Sequence, residues 1–397
     1  MRKVTVGDWR CTPREKELVN RVLDSGRLSY GPVSRELEQK FASVHGAKYG
    51  VLSNSGTSSL QVALQAMKER YGWKDGDEVI VPALTFVATA NIVLHNRLKP
   101  VLVDVEPDMY GIDVDRIADA ITNRTVAIIP VHLFGMPCDM QGVCAVAAAY
   151  DLRVIADSCE TMFARHHQRY AWGDIDCYSF YMAHLITAGV GGIAVTDDPD
   201  LAVTMRSLVN HGRDAIYLST DDDDGVGAER LKEIISRRFN FVSVGHSYRI
   251  TEMEAALALA QLENRESMLA ARRRSAAYLN STLSVHEEHL QLPTIRPFTE
   301  HAWMMYPIVT RHNDKIELVN YLENRGIETR DMLPLTNQPV YAGWLDRSQY
   351  PVAEHINERG FYIGCHQYLT TGDLAYIVEA FDSYYAQHKE FRSEVGQ

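Results

Sequence analysis

The chain has 397 residues, 46 % of them hydrophobic and 23 % charged, an ordinary balance for a globular enzyme and more sequence than one hydrophobic core usually holds. A net charge of −12 argues against a nucleic-acid footprint or a basic membrane-binding patch. No apolar run approaches the roughly 20 residues of a membrane span, and the first residues lead directly into polar sequence, so the expectation is a cytoplasmic protein of two packed domains.

In chain order, Tyr49 to Ser53 reads as a strand and Thr57 to Arg70 as an amphipathic helix. Strand-like runs follow at Glu78–Pro82, Lys99–Asp104, Thr125–Val131 and Arg153–Asp157. Short Val/Ile-rich runs alternating with helical stretches predict an α/β fold, a mostly parallel sheet covered on both faces. Gly191 to Thr196 adds a strand that suits an antiparallel position. Asp221 to Asp224 reads as a solvated loop, because adjacent like charges repel and lack the spacing of a calcium loop. A helical pattern from Thr251 to about Leu283 predicts a connector, dividing a large domain (1–265) from a smaller α+β domain (266–397). In the smaller one, Trp303–Val309 reads as a strand, and Lys315–Arg325 and Asp373–Tyr385 as helices.

The chemistry-bearing segments sit just past strands, where ligands bind in doubly wound sheets. Asn54-Ser55-Gly56-Thr57-Ser58-Ser59 joins a strand to a helix, so backbone amides and hydroxyls converge on a place suited to phosphate. Ser/Thr caps open many helices, however, so this segment alone says little. Phe86, after the next strand, can offer a ring face to a flat heteroaromatic group or simply fill the core. Asp157 ends a strand, where a carboxylate suits a protonated pyridine nitrogen or a loop cap, and Glu160 follows three residues on. Six cysteines are scattered, without a C-x-x-C pair and with none between Cys177 and Cys365, which reads as isolated thiols rather than a metal or iron–sulfur site.

The combination of these elements resembles the DegT/DnrJ/EryC1/StrS family of sugar aminotransferases over nearly the whole chain. The likeness runs from Leu28-Ser29-Tyr30-Gly31-Pro32 through Pro130-Val131-His132-Leu133-Phe134-Gly135 to Gly326-Ile327-Glu328-Thr329-Arg330. It implies the aspartate aminotransferase-like fold type I of the pyridoxal 5′-phosphate (PLP) enzymes. Carried over by position, Gly56, Thr57 and Ser179 would bind the cofactor phosphate, Phe86 would stack on its ring, and Asp157 would pair with its nitrogen. Arg330 lies where the family often meets the anionic part of its substrate, whereas at position 160 the family commonly has Gln or His; from its place alone Glu160 can reach the ring hydroxyl or a bound amine, or simply lie at the surface. The family usually completes the phosphate site with an asparagine from the neighbouring subunit of a homodimer; the matching stretch here is Gly245-His246-Ser247-Tyr248-Arg249, where Ser247 is a shorter donor.

One departure changes the expected reaction. In Ser179-Phe180-Tyr181-Met182-Ala183-His184, a histidine occupies the place where the family carries the lysine that holds the cofactor as a Schiff base. Imidazole forms no such imine, but with an ordinary pKa of about 6.5 it can serve as base and acid. His184, with an acidic residue at 160, resembles the branch of 3-dehydratases that remove a sugar hydroxyl. The resemblance implies a non-covalent PLP or pyridoxamine phosphate (PMP) cofactor, glutamate as amino donor, and a nucleotide-linked 4-keto-6-deoxyhexose as substrate. Of two such activities, the absence of clustered cysteines favours the GDP-sugar type over the one that needs an iron–sulfur cluster. Two other readings stay open: an aminotransferase with a merely non-covalent cofactor, and a non-catalytic relative that binds cofactor or nucleotide sugar.

Overall fold

The computed structural model describes residues 2–216, 218, 222–332 and 334–395, with side chains through residue 387. Helices α1 (Pro13–Ser25) and α2 (Pro32–Val44) precede the sheet. Then β1 (Tyr49–Ser53), α3 (Gly56–Tyr71), β2 (Glu78–Pro82), α4 (Val87–His95) and β3 (Lys99–Val103) alternate. They continue into α5 (Val114–Ile117), β4 (Thr125–Ile128), α6 (Met140–Ala149), β5 (Arg153–Asp157), a short β6 (Arg165–His166), β7 (Ile175–Ser179) and β8 (Gly192–Thr196). The large sheet has the order β1-β8-β7-β5-β4-β2-β3. Every pairing in it is parallel except those of β8, which runs antiparallel to both neighbours. A hairpin-like return through β8 therefore brings the segment after β7 back beside β1.

Helices α7 (Pro199–Val209), α8 (Ala228–Arg237), α9 (Glu252–Glu263) and α10 (Arg265–Leu283) lead to the second sheet. That part contains β9 (Leu290–Gln291), β10 (Thr299–Glu300), β11 (Met305–Thr310), α11 (Lys315–Asn324), β12 (Thr329–Asp331), α12 (Pro351–Arg359), β13 (Gly360–Gly364) and α13 (Thr371–Val395). Its four strands pair in the order β12-β13-β11-β9, while β10 pairs with β6. Three buried apolar clusters result among the described residues; one gathers Ile80, Ile128, Met140 and Val154 around the large sheet, and α10 serves the other two, Met268 and Leu269 packing with the large sheet and Ala276, Leu279 and Leu283 with the small one. Val4 packs with the small sheet as well. Among the described residues, no helix is long and apolar enough to cross a membrane.

Local chemistry explains where the elements begin and end. Thr12 and Glu15 close a capping box around Pro13, which starts α1. The start of α2 is capped from a distance: the buried Glu252 carboxylate accepts the amides of Gly31, Val33 and Ser34 at 2.8–2.9 Å. Asp104 does the same for α12, accepting from Val352 and Ala353.

Three sequence expectations are corrected. The helix expected from Thr251 to Leu283 is two helices, because Asn264 turns (φ −102, ψ 11) and closes α9 on the carbonyls of Gln261 and Leu262. The run ending at Val131 leaves the regular strand after Ile128, since Pro130 has no amide to give the ladder, and Val131 returns only as an isolated parallel bridge to Asp157. The strand expected from Trp303 starts at Met305, because Trp303 takes a left-handed conformation (φ 52). Of the acidic loop, Asp222 to Asp224 form a turn, and Asp221 lies outside the described residues.

Candidate active site

A cavity of about 470 Å³ opens at the carboxyl ends of the parallel strands. It is lined by Gly56 and Thr57 after β1, Phe86 after β2, Asp157 and Glu160 at and beyond the end of β5, and Ser179 and His184 at and beyond the end of β7. Met304, Met305 and Tyr362 from the second sheet region form the facing wall. Seven of the nine candidate residues thus share one space, although they span 129 positions from Gly56 to His184 counted inclusively.

One end of the cavity suits an anion. Ser55 caps α3, its hydroxyl accepting from the Ser58 amide at 3.0 Å, so the first turn of a 16-residue helix points its amides towards the space between Thr57 and Ser179. Gly56 is required by close approach: a methyl group there would sit 2.6 Å from Ser179 Cβ and 2.7 Å from Cys159 Sγ.

The floor carries a carboxylate. Asp157 accepts from Thr89 Oγ1 at 2.8 Å and from the Cys159 amide at 3.2 Å, and Thr85 bonds Thr89 in turn. Burial raises its pKa against those hydrogen bonds, and no lysine or arginine pairs with it among the described residues. A buried carboxylate supplied with acceptor-satisfying hydroxyl and amide donors, but lacking a cation, is arranged to meet a cationic N–H from a ligand. Phe86, at the N-cap of α4, is 54 % exposed with its ring on the cavity lining.

Glu160 is held by an unusual turn. Phe134 (φ 58) and Gly135 (φ 100) are both left-handed; the Phe134 amide donates to Glu160 Oε2 at 3.0 Å, and the Phe134 carbonyl accepts from Met304 at 3.0 Å. Gly135 cannot carry a side chain, because a methyl group would meet the Trp303 and Met304 amides at 2.6 and 2.7 Å. Burial, with Asp157 nearby, pushes the Glu160 carboxyl up to about 7 despite the Phe134 amide.

His184 rides on the loop between β7 and β8, which α9 braces: Gln261 accepts from the Thr187 amide at 3.0 Å and donates to its carbonyl at 2.6 Å. Its Nδ1 lies 3.2 Å from the Ser179 carbonyl oxygen, which can only accept, so the proton sits on Nδ1 and Nε2 keeps its lone pair. The expectation of a group titrating near neutrality is corrected. Burial, aided by the buried Arg272 cation, lowers the imidazole to about 4, leaving it a neutral base at pH 7. No lysine lines the cavity among the described residues.

Ser247 and Arg330 are not brought in. Ser247 is exposed and accepts from Arg249 at 2.9 Å; Arg330 is exposed and paired with Glu328, although its backbone lies opposite Tyr362 in the small sheet. The sequence reading missed Thr89, Met304, Met305 and Tyr362. Only Thr89 carried a signal, lying four residues past Thr85 on the first turn of α4.

Comparison with known proteins agrees with this geometry. Residues 10–382 match the DegT/DnrJ/EryC1/StrS aminotransferase family. A GDP-perosamine synthase of Caulobacter vibrioides is 33 % identical over 387 residues, covering 96 % of this chain and 98 % of that protein. A dTDP-4-dehydro-2,6-dideoxy-D-glucose 3-dehydratase of Saccharopolyspora spinosa is 31 % identical over 385 residues, covering 91 % and 82 %. Among solved structures, the E. coli GDP-4-keto-6-deoxy-D-mannose-3-dehydratase with bound hydrated PLP superposes with a TM-score of 0.86 at 25 % identity, covering 95 % of this chain and 99 % of that one. The fold is type I of the PLP-dependent enzymes. The chain belongs to the DegT/DnrJ/EryC1/StrS aminotransferase family.

Proposed function

We propose that this protein is a nucleotide-sugar 3-dehydratase that removes the C3 hydroxyl of a nucleoside-diphosphate 4-keto-6-deoxyhexose, GDP-4-keto-6-deoxymannose being the preferred candidate, with a non-covalent PLP/PMP cofactor. The observation that carries it is the cavity itself: a histidine and two carboxyl groups line it and, among the described residues, no lysine does. The donor set fits the cofactor. Gly56, Thr57 and Ser179 around the α3 terminus would hold its phosphate, Phe86 would lie against its ring, Asp157 would face the ring nitrogen, and Glu160 the ring hydroxyl side. When bound, the amine form supplies a nitrogen to the sugar's 4-keto carbon and a ring that accepts electrons.

The chain's own residues then act on protons. Nε2 of His184, free of its proton, takes one from the carbon beside the ring, while Nδ1–H on the Ser179 carbonyl fixes the imidazole's orientation. Asp157, held by Thr89 and Cys159, keeps a proton on the ring nitrogen. Glutamate would restore the amine form. Arg330 would reach the anionic part of the substrate, and Ser247 would act across a homodimer interface. The exposed apolar residues Tyr181, Met182, Phe239, Phe241, Val242 and Val244 support such an interface. Domains of 1–265 and 266–397 are part of the same reading, with α10 shared between their cores.

A second reading, amino transfer with a non-covalent cofactor, draws on the 33 % identity to a GDP-perosamine synthase. One incubation separates the two. Enzyme, PMP, glutamate and GDP-4-keto-6-deoxymannose should yield a 3-deoxy-4-keto sugar nucleotide by mass spectrometry; a 4-amino sugar nucleotide as the main product would overturn the dehydratase assignment.

A further inference from the structure

We propose that Arg272 is a positioning residue of the cofactor cavity: its buried guanidinium pins the Trp303–Met304 turn and, through that turn, the Phe134 amide that holds Glu160. This role rests on the reading that the cofactor occupies the cavity, and it is the same whether the site dehydrates or transfers an amine.

Arg272 lies on α10 and is 2 % exposed. Its Nη1 donates to the carbonyl oxygens of Trp303 at 3.1 Å, Met304 at 2.9 Å and Cys365 at 3.5 Å. Cys365 returns the contact, its Sγ donating to the Arg272 carbonyl at 3.7 Å. The three oxygens stand just before β11 and just after β13, in the segments that bring Met304, Met305 and Tyr362 to the cavity wall. On its other side the same turn is zipped to the left-handed Phe134–Gly135 pair. The Met304 amide donates to the Phe134 carbonyl at 3.0 Å, and the Ala302 amide to the Gly135 carbonyl at 2.9 Å. The Phe134 amide in turn donates to Glu160 Oε2 at 3.0 Å. A run of hydrogen bonds therefore leads from α10 through two turns to a carboxyl group inside the cavity.

Scaffolding alone does not call for a cation at this place. No carboxylate pairs with Arg272 among the described residues, and its Nε is buried without a partner. Burial lowers the guanidinium only to about 10, so it stays charged at neutral pH. A buried charge without a counter-ion is costly, and an apolar side chain of similar size is often no worse for stability. What the guanidinium supplies is one donor group that meets three main-chain oxygens at once and so holds both wall segments in a single arrangement.

The test compares Arg272→Met, Arg272→Lys, Glu160→Gln and the double variant Arg272→Met/Glu160→Gln with the wild type. Methionine fills the space without donors, whereas lysine keeps the charge and three N–H groups. In the cofactor-free protein, amide hydrogen exchange followed by mass spectrometry reads the two turns, residues 133–136 and 302–306, against β2. Arg272→Met should speed exchange in both turns by about 10-fold and leave β2 within about twofold. PLP titrated by fluorescence should bind about 10-fold more weakly to Arg272→Met and within about threefold of wild type to Arg272→Lys. The double variant should bind PLP within about threefold of Arg272→Met alone, because the Glu160 anchor is already lost. Unchanged exchange in the turns, or exchange raised equally in β2, would overturn the assignment. PLP affinity of Arg272→Met within about twofold of wild type would overturn it too, as would losses that multiply in the double variant. Glu160→Gln alone binding PLP like the wild type would instead sink the placement of Glu160 against the cofactor, with exchange in the two turns still deciding for or against Arg272. Should Arg272→Met not fold, Arg272→Gln, uncharged and with a single amide group, takes its place in every comparison.

Discussion

Gly56→Ala tests the phosphate end of the cavity most sharply. The added methyl group would lie 2.6 Å from Ser179 Cβ, 2.7 Å from Cys159 Sγ and 3.1 Å from Ser179 Oγ, whereas ordinary contact begins at 3.4 Å. Ser179 ends a fully buried strand and Cys159 sits beside the Asp157 carboxylate it donates to, so neither is the free end of a flexible side chain. Relieving the overlap requires α3 and β7 to separate by close to 1 Å, a strain of about 1–3 kcal/mol. Phosphate closing on the same atoms would oppose that separation, so most of the strain should appear in cofactor binding, as a roughly 5- to 150-fold rise in Kd. Titrating PLP or PMP against the protein by fluorescence or calorimetry measures it, with denaturant unfolding to separate a loss of fold. A Gly56→Ala protein that binds cofactor within about twofold of wild type would refute the placement of the phosphate between Gly56 and Ser179.

Other outcomes follow from the same geometry. His184→Lys should bind the aldehyde cofactor covalently, seen by its absorbance and by mass, and should lose dehydration; persistent dehydration would count against His184 as the base. Asp157→Asn keeps an oxygen for Thr89 but no charge for a ring nitrogen, so turnover should fall by roughly 100-fold or more with little change in the circular dichroism spectrum. Activity should hold at neutral pH and fall as pH drops through about 4, where His184 takes up a proton and no longer serves as a base; activity that is unchanged below pH 4 in a protein still folded by circular dichroism would contradict His184 as the base. Glu252→Ala leaves the amides of Gly31, Val33 and Ser34 without an acceptor in a buried place, which should reduce stability by about 3 kcal/mol or more in urea unfolding.

The strands that carry the site were legible because buried parallel strands are written as short Val/Ile runs. Ile175–Ser179 was not recognised as one of them, since its sequence Ile-Asp-Cys-Tyr-Ser hides a five-residue, fully buried strand behind a polar Asp176. The first helix was missed although Thr12-Pro13-Arg14-Glu15 spells a capping box with proline at its start. Residues that enter the cavity from one strand end could be proposed from order along the chain. Tyr362, Met304 and Met305 could not, because their approach depends on how the second sheet packs, and the Glu160 anchor depends on a left-handed Phe134 that no local pattern announces. The lowered pKa of His184 was likewise invisible: a histidine's titration is set by its burial and by Arg272, 88 positions away, rather than by its neighbours in sequence.

The most direct measurement is reduction of the PLP-loaded protein with borohydride, followed by intact-mass and peptide mass spectrometry. With imidazole in place of an amine at position 184, the polypeptide should keep its unmodified mass and the coenzyme should wash out on denaturation. A stoichiometric phosphopyridoxyl adduct on a lysine would contradict the account.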